Sequence, residues 1–471
     1  MVFSSTLFLS FFLPIFLLAY YFTPSKYRNW TALFFSLAFY AWGAPVFIFF
    51  LVGSCVFDFY LIKGFNSPNR KTYLLFSLLL NIGLLAYFKY ANFFVENMDA
   101  ALGGNVMSWE SVVLPIGISF FTFQKISYSL DVYWKKNQQL TRFNDYLLFI
   151  VLFPQLIAGP IVRFRDIAGQ ITDRSANENY TMRINGMFRF IIGLSKKVLI
   201  ANVLAEYVHE INQVYELTPY AVTSASAWVV AIAYTFQIYF DFPGYSDMAI
   251  GLGKMIGFKF PENFNFPYLS RSITEFWQRW HITLGTWMRD YLYIPLGGNQ
   301  NGKIRTYINL SLVFIISGFW HGAAWNFIIW GAFHGFLLVI ERLFLGKVLK
   351  KLPGIISVFY TFGMVLFGWV FFSASSLTQS WFYLCKMFEF NFETDLNLSI
   401  KFTFFLILAI GFSFYALNSK FIVKVNSFQD TLAAKKIWVL VIGFLVGIFL
   451  FTLCMSEIMT AGFNPFIYYR F

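Results

Sequence analysis

An imidazole inside an apolar run is the first place in this sequence where chemistry could sit. Residues 311–345, SLVFIISGFWHGAAWNFIIWGAFHGFLLVIERLFL, carry His321 in a stretch of membrane-spanning character, in a chain that has only four histidines. The unperturbed pKa of imidazole lies near neutrality, so a histidine held at lipid depth can move a proton without a metal or a permanent charge. Trp320 precedes it, and the small residues Gly318, Gly322, Ala323 and Ala324 leave room for a ligand or for close helix packing. The bland alternative is a core histidine whose polar atoms are satisfied by its neighbours.

A second dense region, FPYLSRSITEFWQRWHITLGTWMRDYLYIPLGG, spans 266–298 and packs Trp277, Arg279, Trp280 and His281 into five residues. Helical i, i+4 spacing puts Trp277 beside His281 on one face. Alone, such a segment reads as an interfacial helix with aromatic anchors and snorkelling arginines, but a second embedded histidine makes it a partner for His321. Arg279 and Arg289 suit the phosphates of a ligand and lipid headgroups equally. In QIYFDFPGYSDMAIG, residues 237–251, Asp241 and Asp247 end an apolar span. A carboxylate there needs a cation or water, so a salt bridge that locks helices is expected, or a place at a cavity mouth. His334, on one helix face with Trp330 and with Glu341 two turns on, reads as packing or as support for the site, and His209 as a surface residue of an acidic outer loop.

Metal and hydrolase chemistry fit poorly. The sequence has no HExxH, no CxxC and no carboxylate beside His321, and no G-x-S-x-G near either histidine. Cys55, Cys385 and Cys454 are far apart, each in or beside an apolar segment, and read as small buried hydrophobes.

The elements that must position these residues are membrane helices. The chain is 58% hydrophobic, 22% aromatic and 12% charged, against roughly a quarter charged in a soluble protein. Apolar stretches of about 20 residues recur from residue 3 to residue 456, which predicts one integral membrane domain, 1–471, all-α and polytopic. The first, Phe3 to Phe22, lacks a preceding Lys or Arg and a small-residue cleavage site, and is expected to stay as a helix. The net charge of +12 sits in short clusters between spans, which suits topology and lipid headgroups rather than nucleic acid.

Those clusters orient the chain, because Lys and Arg accumulate on the cytoplasmic side. Spans at about 30–42, 46–62, 72–92, 112–134, 183–205, 219–241, 306–320, 323–341, 354–373, 399–417 and 437–456 join the first to give roughly twelve crossings, with both termini outside. Lys420, Lys424, Lys435 and Lys436 fall inside, and Glu389, Glu393 and Asp395 outside. Residues 146–162 have basic residues on both flanks and are too short to cross twice, so a re-entrant segment bent at Pro154 or Gly159-Pro160 is predicted. Residues 242–305 are too charged to span repeatedly and read as amphipathic and re-entrant helices on the cytoplasmic side, those at 254–298 lining a central cavity.

Six strings carry a resemblance: LPIGISFFTFQ at 114–124, FPQLIAGPIVRF at 153–164, GLSKKVLIAN at 193–202, QIYFDFPGYSDMAIG at 237–251, FWQRWHITLGTWMRDYLYIPLGG at 276–298 and GFWHGAAWNFIIWGAFHG at 318–335. Together they resemble the membrane-bound O-acyltransferase (MBOAT) family, and within it the branch of the alginate O-acetylation membrane proteins. The resemblance implies an MBOAT-type fold of about 11–12 membrane helices around a cavity, and transfer of an acyl group from a cytoplasmic thioester to a hydroxyl. It places the family's invariant histidine on His321 and its second polar position on His281. The D-alanyl transfer proteins for teichoic acids are similar. Pro243 departs from the branch, which more often has Ser there.

Acylating a sugar hydroxyl requires a base to take its proton as the oxygen attacks the thioester carbonyl, and a buried neutral imidazole suits that task. His321 is the expected general base, and His281 would polarise the carbonyl or hold the pantetheine arm. Trp277, Arg279, Arg289, Asp247 and Trp320 are the expected substrate contacts. No bound cofactor or metal is expected; acetyl-CoA or an acyl-carrier thioester would be the donor substrate. Expected partners are membrane lipid, a polysaccharide acceptor and an extracytoplasmic SGNH-type acetyltransferase or other modification protein, at the bacterial inner membrane. The rivals are acyl transfer to teichoic acid or peptidoglycan, a proton-coupled transporter using His321 and Asp247, and a silent scaffold that would need neither imidazole.

Overall fold

The computed structural model describes residues 2–104, 107–391, 398–415 and 437–460. All regular structure among them is helical, as an all-α polytopic membrane protein requires. Phe47–Asn66, Arg70–Ala101, Trp325–Leu349, Gly354–Ser373 and Ile437–Thr460 are long and apolar enough to cross a membrane, and Phe8–Phe22 and Ile400–Phe414 are shorter apolar helices. The other expected spans are also helices, but shorter or more polar. Helix Ile118–Tyr133, for instance, starts only after Gly117 at φ 77° and buries Gln124, Lys125 and Asp131. A helix enclosed by protein does not need the uniformly apolar surface that lipid demands. Lys420, Lys424, Lys435, Lys436, Glu393, Asp395 and the C-terminal segment lie outside the described residues.

The chain forms two compact units. The first comprises Met1–Met187 with Ala249–Pro261. Its core gathers aromatic rings around Phe153, with Phe16 at 5.0 Å, Phe39 at 5.4 Å and Phe12 at 5.5 Å between centroids. The predicted re-entrant segment is broken twice. Helix Phe143–Val151 stops at Leu152, whose ψ of 110° ends the helix just ahead of Pro154, and after the turn Phe153–Leu156 the chain stays irregular past Gly159 at φ 108°. Residues 152–162 are all buried, which is where irregular backbone in a membrane protein has to be. In the same unit Asp58, fully buried, accepts from Ser77 Oγ at 2.5 Å, Asn81 Nδ2 at 3.0 Å and Tyr146 Oη at 2.6 Å.

The second unit comprises Phe188–Met248 and Glu262–Phe471. The expected end of a span at residue 241 is corrected here, because one helix runs Ser224–Met255 through Pro243. Ion pairs hold it on either side of the proline: Asp241 meets Lys197 at 2.9 Å, and Asp247 meets Arg189 at 2.8 Å and Lys196 at 2.6 Å. The salt bridges expected of both aspartates are therefore present. Between them Gly244 faces Gly193 so closely that a Cβ on Gly193 would stand 2.5 Å from the Gly244 carbonyl oxygen.

Candidate active site

His321 is the last residue of helix Gly302–His321, which turns back at Gly322 into helix Trp325–Ile340. These two helices touch backbone to backbone. A Cβ on Gly318 would lie 2.2 Å from the Phe327 carbonyl oxygen, and one on Gly331 would lie 2.3 Å from that of Phe314. The small residues around His321 thus serve close packing, which fixes where the imidazole sits.

His281 is placed by a different device. Helix Ile273–Arg279 starts at Ser272, whose side chain accepts from the Glu275 N–H. Its first turn is held from outside by Glu341, which accepts from Ile273 N–H at 2.5 Å, Thr274 N–H at 2.9 Å and Thr274 Oγ1 at 2.8 Å. The helix then stops, and His281 takes a left-handed backbone at φ 45° before helix Ile282–Met288. An extended strap braces this corner: Asn265 N–H donates to the Arg279 carbonyl and Ile282 N–H to the Asn263 carbonyl, both at 2.9 Å. Because the helix ends at Arg279, the expectation that Trp277 and His281 share one helix face is corrected. Trp277 instead donates its Nε1–H to His334 Nδ1 at 3.4 Å and packs on Trp330 with centroids 5.5 Å apart.

The two histidines converge. Their ring centroids are 6.4 Å apart, with His281 1% and His321 4% exposed. Trp320 at 4.9 Å, Trp330 at 5.3 Å and Phe372 at 5.3 Å box His321, while Phe242 stands edge-on to His281 at 4.7 Å. Burial pushes the His281 imidazolium down to about 3, so the ring is neutral at physiological pH. Two imidazoles within one apolar box, at least one of them neutral, form an arrangement suited to taking a proton from a weakly acidic hydroxyl.

Of the other expected contacts, only Trp320 joins this box. Arg279 is tied to Glu275 at 2.8 Å and donates to the Asn265 carbonyl at 3.2 Å, so it braces the strap. Arg289 pairs with its neighbour Asp290 at 2.8 Å, and its side chain is 61% exposed. His334, fully buried, is a packing residue against Trp277 and Trp330. Cys55 and Cys454 are buried as expected, whereas Cys385 is exposed, lying on the outer face of its helix. His209 is exposed, on a helix rather than in a loop. Among the described residues no three His, Cys, Asp or Glu side chains gather closely enough to hold a metal ion. Sequence reading missed Asn263, Phe372 and the capping role of Glu341, all supplied from distant parts of the chain.

The family model described as MBOAT, membrane-bound O-acyltransferase family, matches residues 65–377, which include both histidines. The chain belongs to the membrane-bound O-acyltransferase family. It is 44% identical to a probable alginate O-acetylase of Azotobacter vinelandii over 84% of this chain and 80% of that one. A peptidoglycan O-acetyltransferase of Helicobacter pylori is 38% identical over 81% of this chain and 78% of its own. A teichoic acid D-alanyltransferase of Bacillus subtilis is 29% identical over 55% of this chain and 68% of its own. The protein is thus an MBOAT O-acyltransferase, with its histidine pair inside the family-matched region.

Proposed function

We propose that this acyltransferase moves an acetyl group from a cytoplasmic thioester, acetyl-CoA or an acyl carrier, to a hydroxyl of an extracytoplasmic polysaccharide or of an acetyl-carrier protein. The observation that carries the reading is the pair of buried imidazoles, 6.4 Å apart. His321 is the general base. It takes the hydroxyl proton as the oxygen bonds to the thioester carbonyl carbon; the C–S bond then breaks, and the imidazolium returns the proton to the departing thiolate. A cytoplasmic donor and an outside acceptor require a site that can be reached from both faces of the bilayer. The relatives named for alginate and peptidoglycan acetylation support a polysaccharide as final acceptor. In this reading an SGNH-type acetyltransferase outside the inner membrane is the partner. In this reading both termini face outward, and Arg289, exposed beside Asp290, meets donor phosphate or lipid headgroups.

The test is transfer from labelled acetyl-CoA in proteoliposomes. His321→Ala should lower ester formation by roughly 10²- to 10⁴-fold with protein level and thermal stability unchanged. Transport of substrate without ester formation would overturn the reading in favour of a transporter. The teichoic acid D-alanyltransferase relative makes a D-alanyl donor the one to run alongside.

A further inference from the structure

The side-chain oxygen of Asn263 collects three groups: His281 Nδ1 at 3.1 Å, the Thr283 backbone nitrogen at 3.3 Å and Thr283 Oγ1 at 2.8 Å. The Thr283 N–H can only donate, so the atom facing it must be the amide oxygen and not the amide nitrogen. That settles the orientation of the whole side chain, with Nδ2 directed to Ser246 Oγ at 3.2 Å. An amide oxygen can only accept, so His281 Nδ1 carries the ring hydrogen. In a neutral imidazole the lone pair is then on Nε2.

Nε2 of His281 is buried and has no hydrogen-bond partner among the described residues. A buried acceptor left unfilled is costly, so such an atom in a native fold points to a ligand or solvent that fills it. The backbone carries the same message, since a non-glycine residue at φ 45° is strained, and here the bonds from Asn263 and Asn265 hold it in place.

We propose that Asn263 is a positioning residue that sets the tautomer of His281, and that His281 Nε2 accepts a hydrogen bond from an O–H or N–H of a bound substrate. The proposal rests on the acyl-transfer reading above and alters one part of it. A neutral ring with Nδ1–H bound to Asn263 has nothing to donate from Nε2, so polarising the thioester carbonyl is not the task of His281. Two substrate groups have the required chemistry: the acceptor hydroxyl, and an amide N–H along the pantetheine arm of the donor.

The deciding measurement is nitrogen NMR of the full-length protein in detergent with ring-¹⁵N histidine, His281 being assigned by the signal lost in His281→Gln. The bare nitrogen should be Nε2, whereas a bare Nδ1 overturns the inference whether or not transfer works. In kinetics, Asn263→Ala should lower kcat by roughly 10- to 100-fold, the size found on removing groups that orient metal-binding histidines. Asn263→Asp keeps an acceptor oxygen and should retain most of the rate, but a carboxylate stabilises the imidazolium, so the acidic limb of its pH profile should move to higher pH. An Asn263→Asp enzyme with a normal rate and an unmoved limb, or one as inactive as Asn263→Ala at normal protein level, overturns the positioning role. If Asn263→Ala does not accumulate, Asn263→Asp and the NMR decide. In His281→Ala, a raised KM for the acyl donor identifies the amide as the hydrogen-bond source and a raised KM for the acceptor the hydroxyl; both unchanged overturns the substrate contact. Failure of the acyl-transfer reading looks different, because wild type itself then forms no ester from acetyl-CoA.

Discussion

Lys197 and Asp241 meet at 2.9 Å with each side chain 2% exposed, and Lys197 Nζ also donates to Asn202 Oδ1 at 2.6 Å. This pair links the helical run through Lys196–Ala201 to helix Ser224–Met255 just before Pro243. Removing one partner leaves an uncompensated buried charge, a loss of roughly 3–5 kcal/mol, whereas replacing both with apolar residues of similar size is close to neutral. Lys197→Met and Asp241→Leu singly should therefore lower the melting temperature in detergent far more than the double variant does. A double variant as unstable as the worse single one would show that the pair holds the helices through some further contact.

The close crossing beside His321 gives a second expectation. A methyl group on Gly318 would meet the Phe327 carbonyl oxygen at 2.2 Å, while one on Gly363 finds nothing within 4 Å. Both glycines are helical, so Gly363→Ala should be neutral or stabilising, by up to about 1 kcal/mol from helix propensity. Gly318→Ala should separate the two helices, destabilise the protein by about 1–3 kcal/mol and lower acetyl transfer. Melting temperature and ester formation measured on both variants check this, and equal behaviour of the two would remove the case for contact-fixed placement of His321.

These cases also show where the sequence was legible. Apolar runs mark the helices long enough to span, because membrane burial writes itself into composition, and His321 stands out for being polar within such a run. The signs of Asp241 and Asp247 pointed to cation partners that are present. What local spacing could not supply was the turn at Trp280–His281. The i, i+4 rule assumes a continuous helix, whereas this one ends at Arg279 and its end is bonded by the strap at 263–265, through Asn265 to Arg279 and Asn263 to Ile282. The span end expected near residue 241 errs in the opposite direction, since the helix runs on through Pro243 with ion pairs on either side of it.

Glu341 offers a test of how the helix that leads to His281 is held at its start. It lies some 67 or 68 positions from the two residues whose N–H groups it accepts, and those N–H groups are among the four that an isolated helix start leaves unsatisfied. A carboxylate there also favours the positive end of the helix dipole. Glu341→Ala should cost about 1–3 kcal/mol for the orphaned buried donors, and should lower transfer by loosening the helix that leads to His281. Glu341→Gln keeps one acceptor oxygen and should fall between the two. If Glu341→Ala melts like wild type, solvent already serves that helix end.

The neutrality of His281 has a signature in stability. Burial holds its folded imidazolium at about 3, while in the unfolded chain histidine titrates near ~6.5. Above ~6.5 the ring is neutral in both states and contributes no pH dependence. As pH falls from ~6.5 toward about 3, the unfolded chain binds one more proton than the folded one, so stability drops by up to about 1.4 kcal/mol per pH unit from this group. His281→Gln removes the titrating group and retains an amide that can donate to Asn263. The loss of unfolding free energy between pH 7.5 and pH 5, measured by denaturant unfolding in detergent, should therefore be smaller in the variant than in wild type by roughly 2 kcal/mol. Equal acid sensitivity of the two proteins would mean that the folded ring takes up its proton as readily as the unfolded one, and that burial does not keep it neutral.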